Sequence, residues 1–221
     1  MGKIVSSVGR RSPSGRDRSP PPDALSLYAA GGTVGAGRKY LNRDERQRVI
    51  AAAARLERRA ALFVLTLAWS GARISEILAL TPRSFQIEQS LISIVTLKRR
   101  CWRVREVPIP PDLMKAIAEE FGLDAAQRDL GSGNVRVWPM SRTTAWRTVK
   151  RVMDSAGISG RSACPRGLRH AFGVGTLQAG VPITLLQRWL GHSRLSATAI
   201  YATAAGPEEV ALASLFWKWA G

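Results

Sequence analysis

Residues 166–172 read Arg-Gly-Leu-Arg-His-Ala-Phe and residues 190–192 read Leu-Gly-His, with Tyr201 nine positions after the histidine. The apolar spacing around these stretches predicts helices at about 167–179 and 183–190. Arginines, histidines and a tyrosine therefore share one helical region. We expect the second half of the chain to be helical throughout.

The first half combines helices with a few strands. Asn42 followed by Glu45 resembles a capping box, and Pro111 is typical of a first helical turn. We predict helices at about 42–57, 60–69, 73–80, 111–121, 143–155, 167–179, 183–190, 196–202 and 208–219, and strands at 85–87, 91–97 and 104–109. The predicted fold class is mainly α with one small antiparallel β-sheet, an α+β domain.

The two ends of the chain differ in composition. Residues 10–22 carry almost no apolar side chain and glycines crowd residues 31–37, so we expect residues 1–38 to form a disordered basic arm. An extension without a role is the alternative. Residues 39–221 are long enough for one packed domain, which would end in a helix at 207–219.

Charge indicates the class of partner. The chain has 33 Lys and Arg against 16 Asp and Glu, a formal net charge of +17, and 27 of the basic residues are Arg. Such an excess favours a polyanion, because basic side chains release the counterions condensed on phosphates. Arginine also pairs with phosphate oxygens two at a time, which favours nucleic acid over a membrane surface.

Several classes of protein are not expected. Two cysteines, Cys101 and Cys164, do not indicate a disulfide framework and favour a reducing compartment. The longest apolar run, at 60–72, is too short to cross a bilayer, and the N-terminus lacks a signal-peptide core. Metal-ligand spacings, a P-loop and a dinucleotide fingerprint are not found, so we expect no metal and no cofactor. We predict a cytoplasmic protein that binds nucleic acid.

Two further basic features lie upstream. Arg73 stands between a glycine turn and the apolar Ile77, where a charged side chain needs a buried or bound partner. A second run, without acidic residues, indicates a stripe of DNA-backbone contacts along a hairpin edge. Its members are Lys98, Arg99, Arg100, Arg103 and Arg105.

Taken in chain order, these motifs resemble those of the tyrosine recombinase (phage integrase) family. The matching elements are the Arg-x-Ser-Glu turn at Arg73, the lysine of a basic hairpin, Leu-Arg-His at 168–170, Leu-Gly-His at 190–192 and the trailing Tyr201. Each element alone is weak, whereas five in sequence are specific. The resemblance covers about residues 40–219 and implies the family's catalytic-domain fold over 39–221.

The resemblance implies a chemistry for these residues. Arg73 and Arg169 would hold the scissile phosphate of DNA, and His192 would add a hydrogen bond to it. Tyr201 would attack, giving a 3′-phosphotyrosyl link and a free 5′-hydroxyl, and Lys98 would donate the proton that this hydroxyl needs. The link conserves the bond energy, so a second strand can rejoin it without ATP or metal.

Two neighbours of these residues are expected to act indirectly. Glu76, three positions after Arg73, could orient one of the arginines, or form an ordinary surface pair. His170 is expected to pack behind the site. With two histidines in the chain, His192 is the stronger choice for the chemistry.

Arg166 departs from the family pattern, which usually has histidine three positions before the second arginine. Arginine cannot accept a proton near neutral pH. We expect Arg166 to supply positive charge beside the phosphate, and Tyr201 to lose its proton to His192, to water or to another group.

The chain resembles the short, catalytic-domain-only members of the family, such as the fimbrial phase-variation recombinases. Double-stranded DNA is the implied partner, with affinity that depends on the arm and the hairpin and hence on salt. An accessory DNA-bending protein or a second recombinase would add specificity. The helix at 207–219 would dock on a neighbouring subunit in a homotetramer, or fold back on its own core.

We expect a bacterial, nucleoid-acting site-specific recombinase that serves integration, excision or inversion. A non-catalytic DNA-binding remnant or regulator with the same fold is the alternative. A relaxing topoisomerase of the related type IB class would share the phosphotyrosine chemistry without requiring subunit exchange.

Overall fold

A computed structural model describes residues 39–98, 101–129 and 131–202, together with Ser214 and Trp217. The predicted arm at 1–38, Arg99 and Arg100 lie outside the described residues. So does the predicted helix at 207–219, apart from Ser214 and Trp217.

The described residues form nine α-helices and a three-stranded sheet. The helices are α1 (Arg43–Ala53), α2 (Arg58–Ser70), α3 (Ile74–Ile77), α4 (Pro111–Phe121), α5 (Leu123–Arg128), α6 (Arg142–Ser155), α7 (Pro165–Gln178), α8 (Ile183–Leu190) and α9 (Ser196–Ala199). Short 3-10 turns occupy Pro82–Ser84 and Ser132–Asn134. None of the described helices is both long and apolar enough to cross a membrane.

Local chemistry sets the helix ends. The capping box at α1 forms as expected, because Asn42 Oδ1 accepts from the Glu45 amide and the Glu45 carboxylate accepts from the Asn42 amide, both at 2.8 Å. Glycine in the left-handed conformation ends α2 at Gly71 (φ 60°) and α4 at Gly122 (φ 56°).

The sheet is an antiparallel meander of β1 (Phe85–Gln86), β2 (Leu91–Lys98) and β3 (Cys101–Pro108). Ile94 lies opposite Arg105, and Lys98 lies opposite Cys101 at the far end of the β2–β3 hairpin. Ile92, Ile94 and Val107 are fully buried, so one face of the sheet covers the helical core.

The main core surrounds α2, which packs against α1, α4 and α7. Trp138, 1% exposed, joins the two halves of the chain. Its ring makes edge contacts with Phe63 at 5.8 Å and Phe121 at 5.4 Å, and its indole N–H donates to the Arg59 carbonyl at 3.0 Å. A buried indole with a satisfied N–H stabilises this junction without a polar penalty.

A second buried cluster lies between α7, α8 and the end of α9. It contains Tyr40, Phe172, Val174, Leu186, Leu190 and Tyr201. Tyr201 is therefore held by packing as well as by polar contacts, and this cluster forms the floor of the site described below.

The expected fold class is confirmed, although several boundaries differ. The first helix ends at Ala53 instead of near residue 57, because Glu57 caps α2 by accepting from the Arg59 and Ala60 amides. The helix expected at 73–80 is limited to Ile74–Ile77, and α9 ends at Ala199. Helix α5 was not predicted; it follows α4 after the single left-handed residue Gly122.

Candidate active site

Arg169 occupies the centre of the site. It lies on α7, is 8% exposed, and donates from Nη1 to the Gly71 carbonyl at 2.7 Å and from Nη2 to the Leu190 carbonyl at 2.8 Å. Burial, and then the charge of Arg73, lowers the pKa of Arg169 to about 10. The side chain therefore stays charged at neutral pH while its guanidinium is fixed by backbone from two distant segments.

The close approach of α7 to the end of α2 depends on Gly71. Its left-handed backbone turns the Gly71 carbonyl toward Arg169, and the ring of Phe172 occupies the space where a Cβ would stand. A larger residue at this position would separate the two helices and withdraw one anchor of Arg169.

Arg73 lies at the N-terminal end of α3, with its side chain 43% exposed. Glu76 holds it twice: Oε2 accepts from the Arg73 amide at 2.8 Å and Oε1 accepts from Nη1 at 2.8 Å. The half-exposed guanidinium is thereby aimed while part of it stays open to a ligand.

Glu76 is itself buried, at 7% exposure. Burial alone would raise the pKa of this carboxyl, but hydrogen bonds and charge from Arg105, aided by the Arg73 amide and Thr96, bring the pKa down to about 2. Glu76 is thus ionised at neutral pH and pairs with two arginines.

The expectation that Arg105 lies on an exposed DNA-contacting stripe is wrong. Arg105 is 7% exposed, its Nη2 lies 2.6 Å from Glu76 Oε2, and its Nη1 donates to Thr96 Oγ1 at 2.5 Å. Its Nε donates to the Trp189 carbonyl at 2.7 Å. Arg105 therefore ties β3 to α3 and to the end of α8. The two-residue spacing from Arg105 to the buried Val107 and Ile109 was the signal for an inward position.

His192 follows Gly191, the left-handed residue that ends α8. Its Nε2 lies 3.0 Å from Arg169 Nη2 and its Nδ1 lies 2.9 Å from Thr198 Oγ1. Because a guanidinium only donates, Nε2 accepts here and Nδ1–H donates to the threonine hydroxyl. The imidazole edge thus meets the guanidinium that would hold a phosphate.

Tyr201 is 3% exposed and lies over Gly173 of α7, whose missing side chain leaves room for the phenol ring. The His192 ring is stacked near it, with centroids 6.3 Å apart and planes 8° apart. Burial raises the pKa of Tyr201, while the charges of Arg169 and Arg73 act in the opposite direction.

His170 does not pack behind the site as expected. Its Nδ1 lies 3.1 Å from the Tyr201 hydroxyl oxygen, and the two ring centroids are 5.7 Å apart. Burial first, and then the charges of Arg169, Arg166 and Lys39, lowers the pKa of His170 to about 4. A neutral imidazole is therefore in direct contact with the tyrosine hydroxyl.

The remaining predicted residues lie at the edges of the site. Arg166 is exposed in the first turn of α7, and Arg103 is exposed on β3. The backbone of Lys98 ends β2, opposite Cys101. Arg99 and Arg100 fall outside the described residues.

A cleft of about 480 Å³ opens beside His192, between β3 and the end of α8. Two exposed arginines that sequence analysis did not single out, Arg188 and Arg194, line it together with Arg103. Their position near the Leu-Gly-His motif was the available signal. The cleft offers positive charge on both sides of His192. Among the described residues, no group of three His, Cys, Asp or Glu side chains could hold a metal ion.

Comparison with known proteins matches residues 39–206 to the phage integrase family. Tyrosine recombinase XerA of Thermococcus onnurineus (strain NA1) is 34% identical over 166 residues, which are 74% of this chain and 57% of the relative. Tyrosine recombinase XerC of Roseiflexus castenholzii (strain DSM 13941 / HLO8) is 31% identical over 140 residues, 60% of this chain and 43% of the relative. The chain thus spans about half the length of these curated relatives.

Solved structures share the fold. The crystal structure of XerA recombinase superimposes with a TM-score of 0.64 at 26% identity, covering 81% of this chain and 64% of that one. XerH site-specific recombinase bound to difH substrate gives a TM-score of 0.64 at 19% identity, covering 86% of this chain and 57% of that one. Since the family match covers most of the domain that carries Arg73, Arg169, His192 and Tyr201, this chain is a member of the phage integrase family, the tyrosine recombinases.

Proposed function

We propose that this protein is a site-specific DNA recombinase that cleaves and rejoins duplex DNA through a 3′-phosphotyrosyl intermediate on Tyr201. The observation that carries the proposal is the position of Arg169, whose Nη2 lies 3.0 Å from His192 Nε2 while its charge acts on Tyr201. A nucleophile, a phosphate-binding cation and a hydrogen-bonding imidazole therefore converge from three separate segments of the chain.

Phosphoryl transfer places negative charge on the non-bridging oxygens, and fixed cations lower the barrier most when they need no reorganisation. Arg169 meets this condition because the Gly71 and Leu190 carbonyls hold it. Arg73 meets it because Glu76 holds it. Together they supply a rigid pair of positive groups for one phosphate.

DNA is the proposed substrate. Among the structural relatives, XerH is bound to its difH substrate and the Tn1549 integrase is in complex with transposon right end DNA. In this chain the exposed Arg103, Arg188 and Arg194 around the cleft support a DNA backbone that continues past the scissile phosphate. Arg166, exposed beside the site, adds charge to the same surface.

Lys98 is the proposed acid for the 5′-oxygen leaving group. The hairpin that carries it is fixed at its base by Arg105, which contacts both Glu76 and the Trp189 carbonyl. Lys98 lies seven residues before Arg105, at the hairpin end of β2. The hairpin therefore extends from a point within the site, which supports delivery of a lysine to the phosphate.

For strand exchange we propose a homotetramer on DNA, assembled through the helix at 207–219, with an accessory DNA-bending protein or a second recombinase for specificity. Trp217 is 60% exposed, which leaves a large aromatic side chain for a neighbouring subunit. A chain truncated at Gly206 is expected to lose tetramers on DNA in analytical ultracentrifugation while keeping monomer binding. Unchanged assembly of the truncated chain would overturn the exchange model.

The deciding experiment is covalent capture on nicked DNA. A duplex library is drawn from DNA flanking the coding gene and carries a nick that lets the short strand bearing the 5′-hydroxyl dissociate after cleavage, so that the covalent adduct accumulates. It is incubated with wild type and with Tyr201→Phe. We expect an adduct stable to denaturant with wild type and none with the variant. No adduct with any duplex would favour a non-catalytic DNA-binding remnant or regulator instead.

The reaction product distinguishes a recombinase from a related type IB topoisomerase. Two copies of a duplex sequence that forms the covalent adduct are cloned into a supercoiled plasmid. The plasmid is incubated with the protein, and the products are resolved on gels. Deletion or inversion between the two sites is expected for a recombinase. Relaxation without either product would indicate a topoisomerase.

A further inference from the structure

We propose that His170 is a catalytic residue, the base that takes the proton from the Tyr201 hydroxyl as the tyrosine attacks DNA. The inference rests on the proposed recombinase function and adds a step that the family resemblance leaves unassigned here, because Arg166 stands where a histidine is usual.

The contact is direct. His170 Nδ1 lies 3.1 Å from the Tyr201 hydroxyl oxygen, within reach for proton transfer. His170 follows Arg169 on α7, so the residue that would bind the phosphate and the residue that would accept the proton are consecutive. Gly173, three positions after His170 on the same helix, leaves the space that the tyrosine ring occupies. One helix therefore places all three elements of the step.

Other acceptors are less suitable. Arg166 is exposed, and a guanidinium offers donors but no acceptor. Both ring nitrogens of His192 already face partners, Arg169 and Thr198, and its ring lies parallel to the phenol ring. His170 is the one of the two histidines whose nitrogen is aimed at the hydroxyl.

The O–H bond of Tyr201 breaks and its proton moves to His170 Nδ1, while the phenolic oxygen forms a bond to phosphorus. The P–O5′ bond breaks, and the 5′-oxygen takes a proton from an acid, for which Lys98 is proposed. In the rejoining step the 5′-hydroxyl oxygen bonds to phosphorus and its proton returns to the neutral amine proposed at Lys98. The bond between phosphorus and the Tyr201 oxygen breaks, and the His170 imidazolium returns its proton to the departing tyrosine.

The charges around His170 couple this base to the substrate. Burial and the cations of Arg169, Arg166 and Lys39 lower the pKa of His170 to about 4, so the imidazole is neutral at physiological pH. In the tautomer that carries its proton on Nε2, Nδ1 accepts from the Tyr201 hydroxyl. A phosphate bound at Arg169 brings negative charge that opposes these cations. It therefore stabilises the imidazolium and strengthens the base when DNA is in place.

The test separates proton transfer from simple positioning. His170→Asn keeps an acceptor oxygen near the place of Nδ1 but cannot take up the proton. Wild type and this variant are each prepared with tyrosine or with 3,5-difluorotyrosine at position 201, whose hydroxyl is more acidic. Single-turnover cleavage is measured on the nicked duplex identified by covalent capture with wild type.

We expect His170→Asn to slow cleavage by roughly 100-fold or more with tyrosine, and the loss to shrink to under about tenfold with difluorotyrosine, because a more acidic hydroxyl needs less help from a base. His192→Asn is the matched control: its loss should persist with difluorotyrosine, because it acts on the phosphate. Gel shifts confirm that the variants bind the duplex.

Each result decides the question. Cleavage by His170→Asn at the wild-type rate or faster would overturn the proposal and indicate a contact that merely restrains Tyr201. An equal loss of cleavage rate with tyrosine and with 3,5-difluorotyrosine at position 201 would also overturn it. His170 would then have only a structural role. Because wild type must form the adduct in the same assay, failure of this inference is distinct from failure of the proposed function.

Discussion

Arg105 Nη2 lies 2.6 Å from Glu76 Oε2, and the two side chains are 6% and 7% exposed. This pair joins the β2–β3 hairpin to the turn that carries Arg73. Burying two charges is costly, but Arg105 makes three further hydrogen bonds and Glu76 accepts four further ones, so nearly every polar group in the pair is satisfied. The pair aligns elements more than it adds net stability.

Breaking the pair should destabilise the protein. Arg105→Ala leaves the Glu76 carboxylate buried without its main partner, and we expect the free energy of unfolding to fall by about 3–5 kcal/mol. Urea denaturation followed by circular dichroism measures the change. Arg103→Ala, two residues nearer the hairpin end and exposed, is the control and should change stability by less than about 0.5 kcal/mol. Equal effects of the two substitutions would contradict the buried position of Arg105.

The same carboxylate should make stability depend on pH. Its pKa is about 2 in the folded protein against an ordinary 4.5, so its contribution is complete above pH 4.5 and is lost as pH falls through 2. We expect the stability advantage of wild type over Glu76→Gln to shrink by about 2 kcal/mol between pH 6 and pH 3. Urea titrations at each pH test this. An advantage that stays constant across this range would show that Glu76 titrates normally.

Two glycines of α7 test the fit of the tyrosine. A Cβ on Gly173 would lie 2.7 Å from the Tyr201 ring, whereas one on Gly175 would meet nothing within 4 Å. Gly173→Ala is expected to lower the rate of adduct formation by roughly 100-fold, because the phenol must shift. Gly175→Ala makes the same change in helix propensity and should leave the rate unaltered. Similar adduct rates in the two variants would mean that the ring position is not critical.

Salt dependence tests the arginines of the cleft. If Arg188 and Arg194 each contact a phosphate, replacing either by Ala should lower the slope of log affinity against log salt by about 0.9. Fluorescence anisotropy with the captured duplex at several salt concentrations gives the slopes. Arg58→Ala, whose guanidinium is paired with Glu120, serves as the control. If the salt-dependence slopes of the Arg188 and Arg194 variants match that of wild type, the DNA does not bind along this cleft.

The sequence was sufficient for features that depend on neighbouring residues. The bounds of α4 and α8 follow from Pro111, the left-handed Gly122 and Gly191, and amphipathic spacing, and both helices have the predicted ends. The family motifs likewise predicted that Arg169, His192 and Tyr201 belong together, and the structure brings these three within one site.

The features that sequence analysis missed depend on partners far along the chain. Arg105 is buried because Glu76, 29 positions earlier, neutralises it. His170 meets Tyr201 across 31 positions. A run of five basic residues suggested an exposed stripe, although Arg105 lies on the same face of β3 as the buried Val107, whereas Arg103, two positions nearer the hairpin end, is exposed. Charge count along a strand says nothing about which side faces the core.

Helix α7 carries Arg169, His170 and Gly173 within about one turn, each facing a different part of the site. One residue added or removed between positions 169 and 173 would rotate Gly173 by about 100° relative to Arg169 and move it about 1.5 Å along the axis. Arg169, which would bind the phosphate, and Gly173, over which the Tyr201 ring lies, would then no longer face the same site. Natural or engineered length changes in this turn should therefore be far less tolerated than changes in the loops on either side of the helix.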